Sequence, residues 1–426
     1  MLFGNAQAED SVGEAHYRAL VCISLGGGAD SFNMLVPTDA LSYRNYTKRR
    51  GNLALNSHEL LPLHRGDYEG RSYALHYGMR EMHDLYSAGD IALLANAGPI
   101  QGPVGRPGIA CTPDLSHSGL ISRWHHGTAG HRSHSGWAGR VADVLGDSGW
   151  QNRLPTNISL SGPNLMQLGV CSAAANLQSS HYQKHSGLSA GVDFSFVNQQ
   201  LAEQVISARR TGSVQRNKRL LEKIETECRL IVEDAVAGTP EFKTRFSSDS
   251  FSADLEQVAR IIAARNKLGV HRQIFFVHFD GWDHHHQLLE NQAILLPVLS
   301  RGLAAFREAL VEHDAFDDVT IFTTSEFGRS LESNGSGSDH GWGGHHIIMG
   351  GAVQGGRIFG HYPDLVSDSP LDIGGGSFEP TTSMDEYLAE LVLWLGMPAS
   401  DMSYVLPDVS NFWSVSSRTS PLGMLA

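Results

Sequence analysis

Ala19-Leu20-Val21-Cys22-Ile23-Ser24-Leu25-Gly26-Gly27-Gly28-Ala29-Asp30-Ser31 reads as a strand that runs into a loop. Residues 19–25 are almost all apolar, without the alternation of a sheet wetted on one face. Such a strand is expected at the centre of a sheet covered on both sides. Three glycines then let the backbone turn, and Asp30, Ser31 and Asn33 fall on the loop at the strand's carboxyl end. The glycines by themselves signal a tight turn. No GxGxxG or GKS pattern supports a nucleotide loop.

Outward from this strand, helical and extended patterns alternate. Tyr77 to Ser87 carries helical periodicity through Met79, Met82, Leu85 and Tyr86, and Gly89-Asp90 leads into a strand at Ile91-Ala92-Leu93-Leu94. Later, Phe251 to Leu268 reads as helix, Gln273 to Phe279 as strand, Leu288 to His313 as a long helix and Val319 to Thr324 as strand. Ile347-Ile348-Met349-Gly350-Gly351 ends a further apolar run, and Asp385 to Leu395 is a late helix. This alternation predicts an α/β fold with a mostly parallel central sheet and helices on both faces. The middle differs. Gln200 to Ala235 is polar and helix-favouring, with Arg209, Arg210, Arg216, Lys218, Arg219, Lys223 and Arg229 on it. It reads as a helical insertion at about 195–240 whose charged face is solvated. Gly102 to Ser135, rich in Gly, Pro, Ser and His, reads as an ordered loop region crossing the site. The expected organisation is a short N-terminal segment, 1–14, and one domain, 15–426, decorated by inserts.

With 426 residues, 41% of them hydrophobic and 18% charged, the chain can bury a large core. A formal charge of −13, from 45 acids against 32 bases, argues against a nucleic-acid partner. It leaves room for an anionic substrate, because a bound cation overrides the global sign locally. No apolar run reaches the roughly 18 residues of a membrane span. Cys22, Cys111, Cys171 and Cys228 are scattered without a CxxC pair, so no cysteine metal site is expected and no disulfide pairing can be read. Ala6-Gln7-Ala8, followed by Glu9-Asp10, matches a signal-peptidase site, but no basic or apolar region stands before it. Two readings stay open: a leader that starts upstream of Met1, giving a periplasmic or secreted protein, or an accidental match in a cytoplasmic one.

Chemistry concentrates between Asp280 and His346. Phe279-Asp280-Gly281-Trp282-Asp283-His284-His285-His286-Gln287 follows one strand, Ser325-Glu326-Phe327-Gly328-Arg329 follows another, and Ser338-Asp339-His340-Gly341-Trp342-Gly343-Gly344-His345-His346 comes next. Asp, Glu and His are ligands for zinc, manganese or magnesium. Carboxyl ends of strands are where open α/β sheets place their sites. If the strands are neighbours, Asp30, Asp283, His285, Glu326, Asp339 and His340 converge, and one or two divalent ions, two of them about 4 Å apart, would clamp a displacement at phosphorus. Arg329 is the candidate for binding a transferred oxyanion. Ser116, within Thr112-Pro113-Asp114-Leu115-Ser116-His117-Ser118, is the candidate nucleophile at a helix N-terminus, with His117 to assist it.

Each element has a plainer reading. Asp30 and Asp280 suit a cap or a turn. Neighbouring side chains diverge, so at most two of His284, His285 and His286 can share a site. Glu326 and Arg329, three apart, would face each other on a helix start. Trp282 and Trp342 suit packing, and Ser116 suits an N-cap.

The motifs together resemble the DUF1501 family. The resemblance lies in Leu25-Gly26-Gly27-Gly28-Ala29-Asp30-Ser31-Phe32-Asn33-Met34-Leu35-Val36-Pro37, Leu115-Ser116-His117 with Trp124, and Gly136-Trp137-Ala138-Gly139-Arg140. It continues in Gly281-Trp282-Asp283-His284-His285, Ser325 to Arg329, and Asn334 through Asp339-His340-Gly341, so that it covers roughly Ala19 to Gly396. It implies an alkaline phosphatase-like sandwich related to the sulfatases, export by the twin-arginine route, and a site at the carboxyl edge of the sheet. Asp30 matches the first-strand metal aspartate, Asp283 and His285 a G-[FW]-D-x-H motif, and Asp339-His340 a D-H-G motif. Glu326 is followed by Phe327 where relatives in the superfamily often place an Asp-His pair, and the residues around Ser116 match no alkaline phosphatase or sulfatase motif. The expectation is an exported hydrolase of a phosphate or sulfate ester, carried on a small molecule, glycan or lipid, with zinc or manganese bound. The rivals are a non-catalytic envelope protein with a degenerate metal set and a metal-dependent transferase or isomerase.

Overall fold

The computed structural model describes residues 16–64, 70–103, 114–129, 134–145, 154–170, 172–177, 226, 228–417 and 419–426. The Ala6-Gln7-Ala8 match, Cys111, Cys171, part of the Gly102 to Ser135 loop and most of the expected insertion at 195–240 lie outside them. The strands are β1 (Arg18–Leu25), β2 (Leu35–Pro37), β3 (Leu61–Pro62), β4 (Tyr73–Leu75), β5 (Ile91–Gly98), β6 (Asn157–Ser159) and β7 (Ala175–Asn176). They continue with β8 (Arg272–Phe279), β9 (Val319–Ser325), β10 (Arg329–Ser333), β11 (Ser338–His340), β12 (Gly344–Met349), β13 (Ile358–Gly360) and β14 (Thr382–Ser383). The helices that matter are α1 (Ala40–Arg50), α2 (Arg80–Ala88), α3 (His117–His126), α4 (Trp137–Val144), α5 (Ser250–Ala263) and α6 (Arg265–Leu268). After them come α7 (Leu288–Glu312), α8 (Met384–Trp394) and α9 (Met402–Val405).

β1 is buried along nearly its whole length and sits at the centre of the main sheet. The strand order is β13-β5-β12-β9-β1-β8-β6-β7, with β14 also paired to β5. β1 runs parallel to both β8 and β9. Among the described strands of this sheet only β12 is reversed, antiparallel to β5 and to β9. The side chains of β1 alternate between two cores. Ala19, Val21, Ile23 and Leu25 pack with residues of α2, α5 and α7, while Leu20 and Cys22 pack with α4, α8 and α9. The fold is therefore a three-layer α/β sandwich with a mostly parallel sheet, as the alternation predicted.

Two boundaries differ from expectation. The helix expected from Tyr77 starts at Arg80, because Gly78 donates its backbone N–H to His76 Nδ1 at 2.9 Å in a local turn. The helix expected over Phe251 to Leu268 breaks at Ala264 into α5 and α6.

α8 begins with a capping box, Ser383 with Glu386, and places Asp385 in its first turn. A helix N-terminus favours a carboxylate. Here burial wins. Asp385 is fully enclosed, its Oδ1 lacks a partner, and burial, with the charge of Asp408, pushes its carboxyl up to about 8. The folded state then holds this proton while an unfolded chain releases it at its ordinary value near 4. Stability is therefore lost progressively as pH rises through that interval. Asp385→Asn is expected to gain stability over the parent by on the order of a few kcal/mol at pH 8, with the gap shrinking toward pH 5. Urea unfolding at the two pH values measures it. A gap that does not change with pH means Asp385 is ionised in the fold.

Candidate metal centre

The register of the central strands sets the site. Leu25 of β1 is level with Phe279 of β8 and with Ser325 of β9. The segments 26–34, 280–287 and 326–343 thus leave the sheet side by side at one edge. Reversal of β12 completes the arrangement. The chain leaves β9 at Ser325, makes the β10–β11 hairpin above the edge, and re-enters the sheet at Gly344 without crossing it. Glu326, Asp339 and His340 stay over the same edge as Asp283.

Buried guanidinium groups bind these segments together. Arg329 donates from Nε to Gly28 O at 2.7 Å, from Nη2 to Gly27 O at 2.8 Å, from Nη1 to Ser338 O, and from Nη2 to Asp283. The oxyanion role expected of Arg329 does not match this geometry, since its fork is taken up by carbonyls and one carboxylate. Nor does it pair with Glu326: residues 326–328 are a loop, and the helix start that would align the two is absent. Gly27 makes the approach possible. Its φ is +100°, and a Cβ there would lie 2.6 Å from Asp283 N. Arg50 acts similarly one layer down, paired with Asp30 and donating to Ser330 O and Leu331 O at 3.1 and 3.0 Å.

Three imidazoles converge on Asp283. His285 Nε2 lies 3.1 Å from His340 Nε2 and 3.2 Å from Asp283 Oδ1, and His340 Nε2 lies 3.8 Å from the same oxygen. His117 Nε2 is 3.7 Å from Asp283 Oδ2, and His117, Asp283 and His340 each present a ligand atom within 4.8 Å of the others. The far nitrogen of each ring meets an oxygen. His117 Nδ1 is 2.5 Å from Glu326 Oε2, His285 Nδ1 is 3.3 Å from Asp339 Oδ1, and His340 Nδ1 is 2.8 Å from Leu115 O. A carbonyl only accepts, so the proton of a neutral His340 sits on Nδ1 and its Nε2 lone pair faces the cluster. The same assignment for His285, with Asp339 accepting, leaves two lone pairs 3.1 Å apart. A cation between them, or a proton on His285 Nε2, relieves that repulsion.

The donor set fits a divalent cation. Ligands at 2.0–2.1 Å around a tetrahedral ion are separated by about 3.3 Å, and the pairs here span 3.1 to 3.8 Å. Histidines that bind metals characteristically donate their other N–H to a carboxylate or carbonyl, the pattern all three rings follow. The electrostatics agree. Burial raises the Asp283 carboxyl, but the charge and hydrogen bond of Arg329 outweigh it and hold the group below its usual range. Burial holds His340 below the ordinary histidine value, and the Glu326 hydrogen bond raises His117. The side chains of Asp283, His117 and His285 are 43%, 38% and 37% exposed, so the cluster is open to solvent.

Other expected residues are placed elsewhere. The carboxylate of Asp30 is fully buried against Arg50 and accepts from Phe32 N at 3.1 Å, outside the cluster. Glu326 and Asp339 reach the rings of His117 and His285 instead of the centre. Glu326 Oε1 also accepts from Gly27 N at 2.9 Å. Ser116 is the N-cap of α3, accepting from Gly119 N at 3.1 Å, and His117 turns away from it toward Glu326. Asp280 closes a turn onto Gly281 N. His284 is buried and His286 faces Ser336, so one of the three consecutive histidines enters the cluster. His345 and His346 point to opposite faces of β12. The first stacks on Tyr362, the second on Tyr387, and burial holds them down to about 3 and about 4. Trp282 and Trp342 are buried, and Trp342 donates to Pro99 O at 3.1 Å. His117, expected to assist Ser116, sits in the cluster instead. Its only signal in the sequence was an imidazole at the first position of a capped helix, beside a motif already under suspicion.

A family model described as "Protein of unknown function (DUF1501)" matches residues 17–373. No curated protein matches the chain. Solved structures overlap it loosely. Ps i-CgsB is 11% identical over 93% of this chain and 77% of its own, with a TM-score of 0.38. The PsFucS1 sulfatase from Pseudoalteromonas sp. is 12% identical over 89% and 68%, with a TM-score of 0.35. The C-terminal periplasmic domain of EcEptC from Escherichia coli, in complex with Zn, is 7% identical over 96% and 92%, with a TM-score of 0.38. Overlaps this loose leave function to be read from the side chains.

Removing the buried fork should be costly. Arg329→Met strips four acceptors of their donor and is expected to lose roughly 3–5 kcal/mol of stability. Arg329→Lys should recover little of it, because a point ammonium does not reproduce the planar fork. Urea denaturation of the two variants measures this, and parental stability in the lysine variant contradicts it.

Proposed function

Within the DUF1501 family, to which this chain belongs, we propose a metal-dependent hydrolase acting on a phosphate or sulfate ester. The observation that carries this reading is the convergence of three imidazole Nε2 atoms on one carboxylate, each ring with its Nδ1 held by an oxygen. His117, His340 and Asp283 would hold one divalent ion, with His285 beside them. Zinc suits an imidazole-rich set of this spacing best, and manganese is the alternative. Such an ion polarises an ester oxygen and makes water easier to deprotonate near neutral pH.

The protein's own groups do the rest. Glu326 and Asp339 fix the rings of His117 and His285, and Arg329 keeps Asp283 ionised and aimed. The open rim at Asp283 and His285 admits an anionic ester despite the chain's net charge of −13, because the cation dominates locally. Ser116 stays a helix cap in this reading. Export is part of the proposal, supported by the Ala6-Gln7-Ala8 match and the family resemblance. Among the described residues no helix is long and apolar enough to cross a membrane. A second reading, a metal-binding envelope protein without catalysis, is favoured by one observation: Arg329 and Ser116, the expected oxyanion and nucleophile groups, are both engaged structurally.

Elemental analysis of the purified protein is expected to find about one equivalent of zinc or manganese, as a one-ion site requires. Asp283→Ala should abolish uptake, while Asp339→Asn should weaken affinity by about 10- to 100-fold through loss of ring orientation. Folded protein that takes up neither metal defeats the proposal. Release of phosphate or sulfate from aryl esters separates the hydrolase from the non-catalytic reading. Ser116→Ala is expected to keep metal and turnover and to lose about 1 kcal/mol of stability; an inactive but metal-loaded variant makes Ser116 the nucleophile instead.

A further inference from the structure

A cavity of about 310 Å³ opens at the same sheet edge, just past the end of β5. Its apolar lining is Ile100, Pro103 and Phe412, and its polar lining is Thr381, Glu386 and His361. Ile100 and Phe412 belong to one apolar cluster with Phe327 and Trp342, and Phe327 stacks on His340 with ring centroids 4.1 Å apart. Phe327 thus touches both the apolar cluster that reaches the cavity and the ring of His340.

The polar groups are held in place. Glu386 Oε2 accepts from Ser383 N at 3.2 Å, and Thr381 Oγ1 donates to His361 O at 2.8 Å. Burial pushes the Glu386 carboxyl above its ordinary value. The volume lies at the lower end of ligand pockets, enough for one ring. A simple alkyl group would satisfy Ile100 and Phe412 but would offer Glu386 no donor beyond the Ser383 N–H that it already accepts. A pyranose ring meets both demands. Its C–H faces cover the apolar lining, and its hydroxyls donate to the carboxylate.

We propose that this cavity is a saccharide subsite, holding one hexose ring of a glycan whose ester group lies at His117, Asp283, His285 and His340. The second half of that statement rests on the hydrolase reading; the sugar-binding half does not.

Saturation-transfer NMR on the full chain tests it, with methyl α-glucopyranoside, methyl β-galactopyranoside and hexanol as probes. At least one of the glycosides is expected to bind. Glu386→Gln, which can still cap the helix, should weaken that binding about tenfold, the loss of a hydrogen bond to a charged group. Phe412→Ala should weaken it independently, and Asp283→Ala should leave it unchanged. No glycoside binding at tens of millimolar, binding unaltered by both cavity variants, or preference for hexanol overturns the subsite. Zinc measured in the same samples separates the two readings: metal uptake without sugar binding removes the subsite alone, and sugar binding without metal keeps the subsite and removes the hydrolase.

Discussion

The guanidinium of Arg329 is the constraint on which the site depends. It is buried, and it reaches the carbonyls of Gly27 and Gly28 after β1, that of Ser338 on β11, and the carboxylate of Asp283 after β8. A charge in that position is tolerable only when every donor is matched. The requirement works in both directions. The loops cannot separate without stranding a buried charge, and Asp283 cannot lose its proton-free form without weakening the same knot.

A second constraint acts on the histidines. Imidazole is ambiguous by itself, since either nitrogen can carry the proton. Here each ring has one nitrogen tied to Glu326, Asp339 or the Leu115 carbonyl, so the other is committed to the centre. The acidic residues contribute by aiming the rings. Phe327 adds a steric boundary: its ring covers Gly28, where a Cβ would collide with it, and stacks on His340 at an interplanar angle of 29°. A phenyl side chain at that position closes one side of the cluster and leaves the Asp283–His285 side open.

The layers and the sheet were largely legible in the sequence. Residues 19–25, 273–279 and 319–324 are continuous apolar runs, and continuous burial on two faces is what a central parallel strand demands. The reversal of β12 was not legible, because strand direction leaves no mark on an apolar run such as Ile347-Ile348-Met349. The site was legible as a composition and not as a geometry. Asp283, His285 and His340 meet, as their place after strands suggested. Asp30 does not join them, because Arg50, twenty residues later, claims its carboxylate. Glu326 and Asp339, expected as ligands, lie against the rings of His117 and His285, a placement that a sequence does not distinguish from one at the centre.

What the sequence determined alone was the alternation of buried strands and amphipathic helices, and the placing of polar, glycine-rich segments after them. These are local properties, set by side-chain period and by backbone freedom at glycine. Which oxygen serves which nitrogen was decided only by tertiary structure. His117 to Glu326, His340 to Leu115 and Arg329 to Asp283 join residues 209, 225 and 46 positions apart. Such pairings depend on strand order and register, and these emerge only when the two cores close around the sheet.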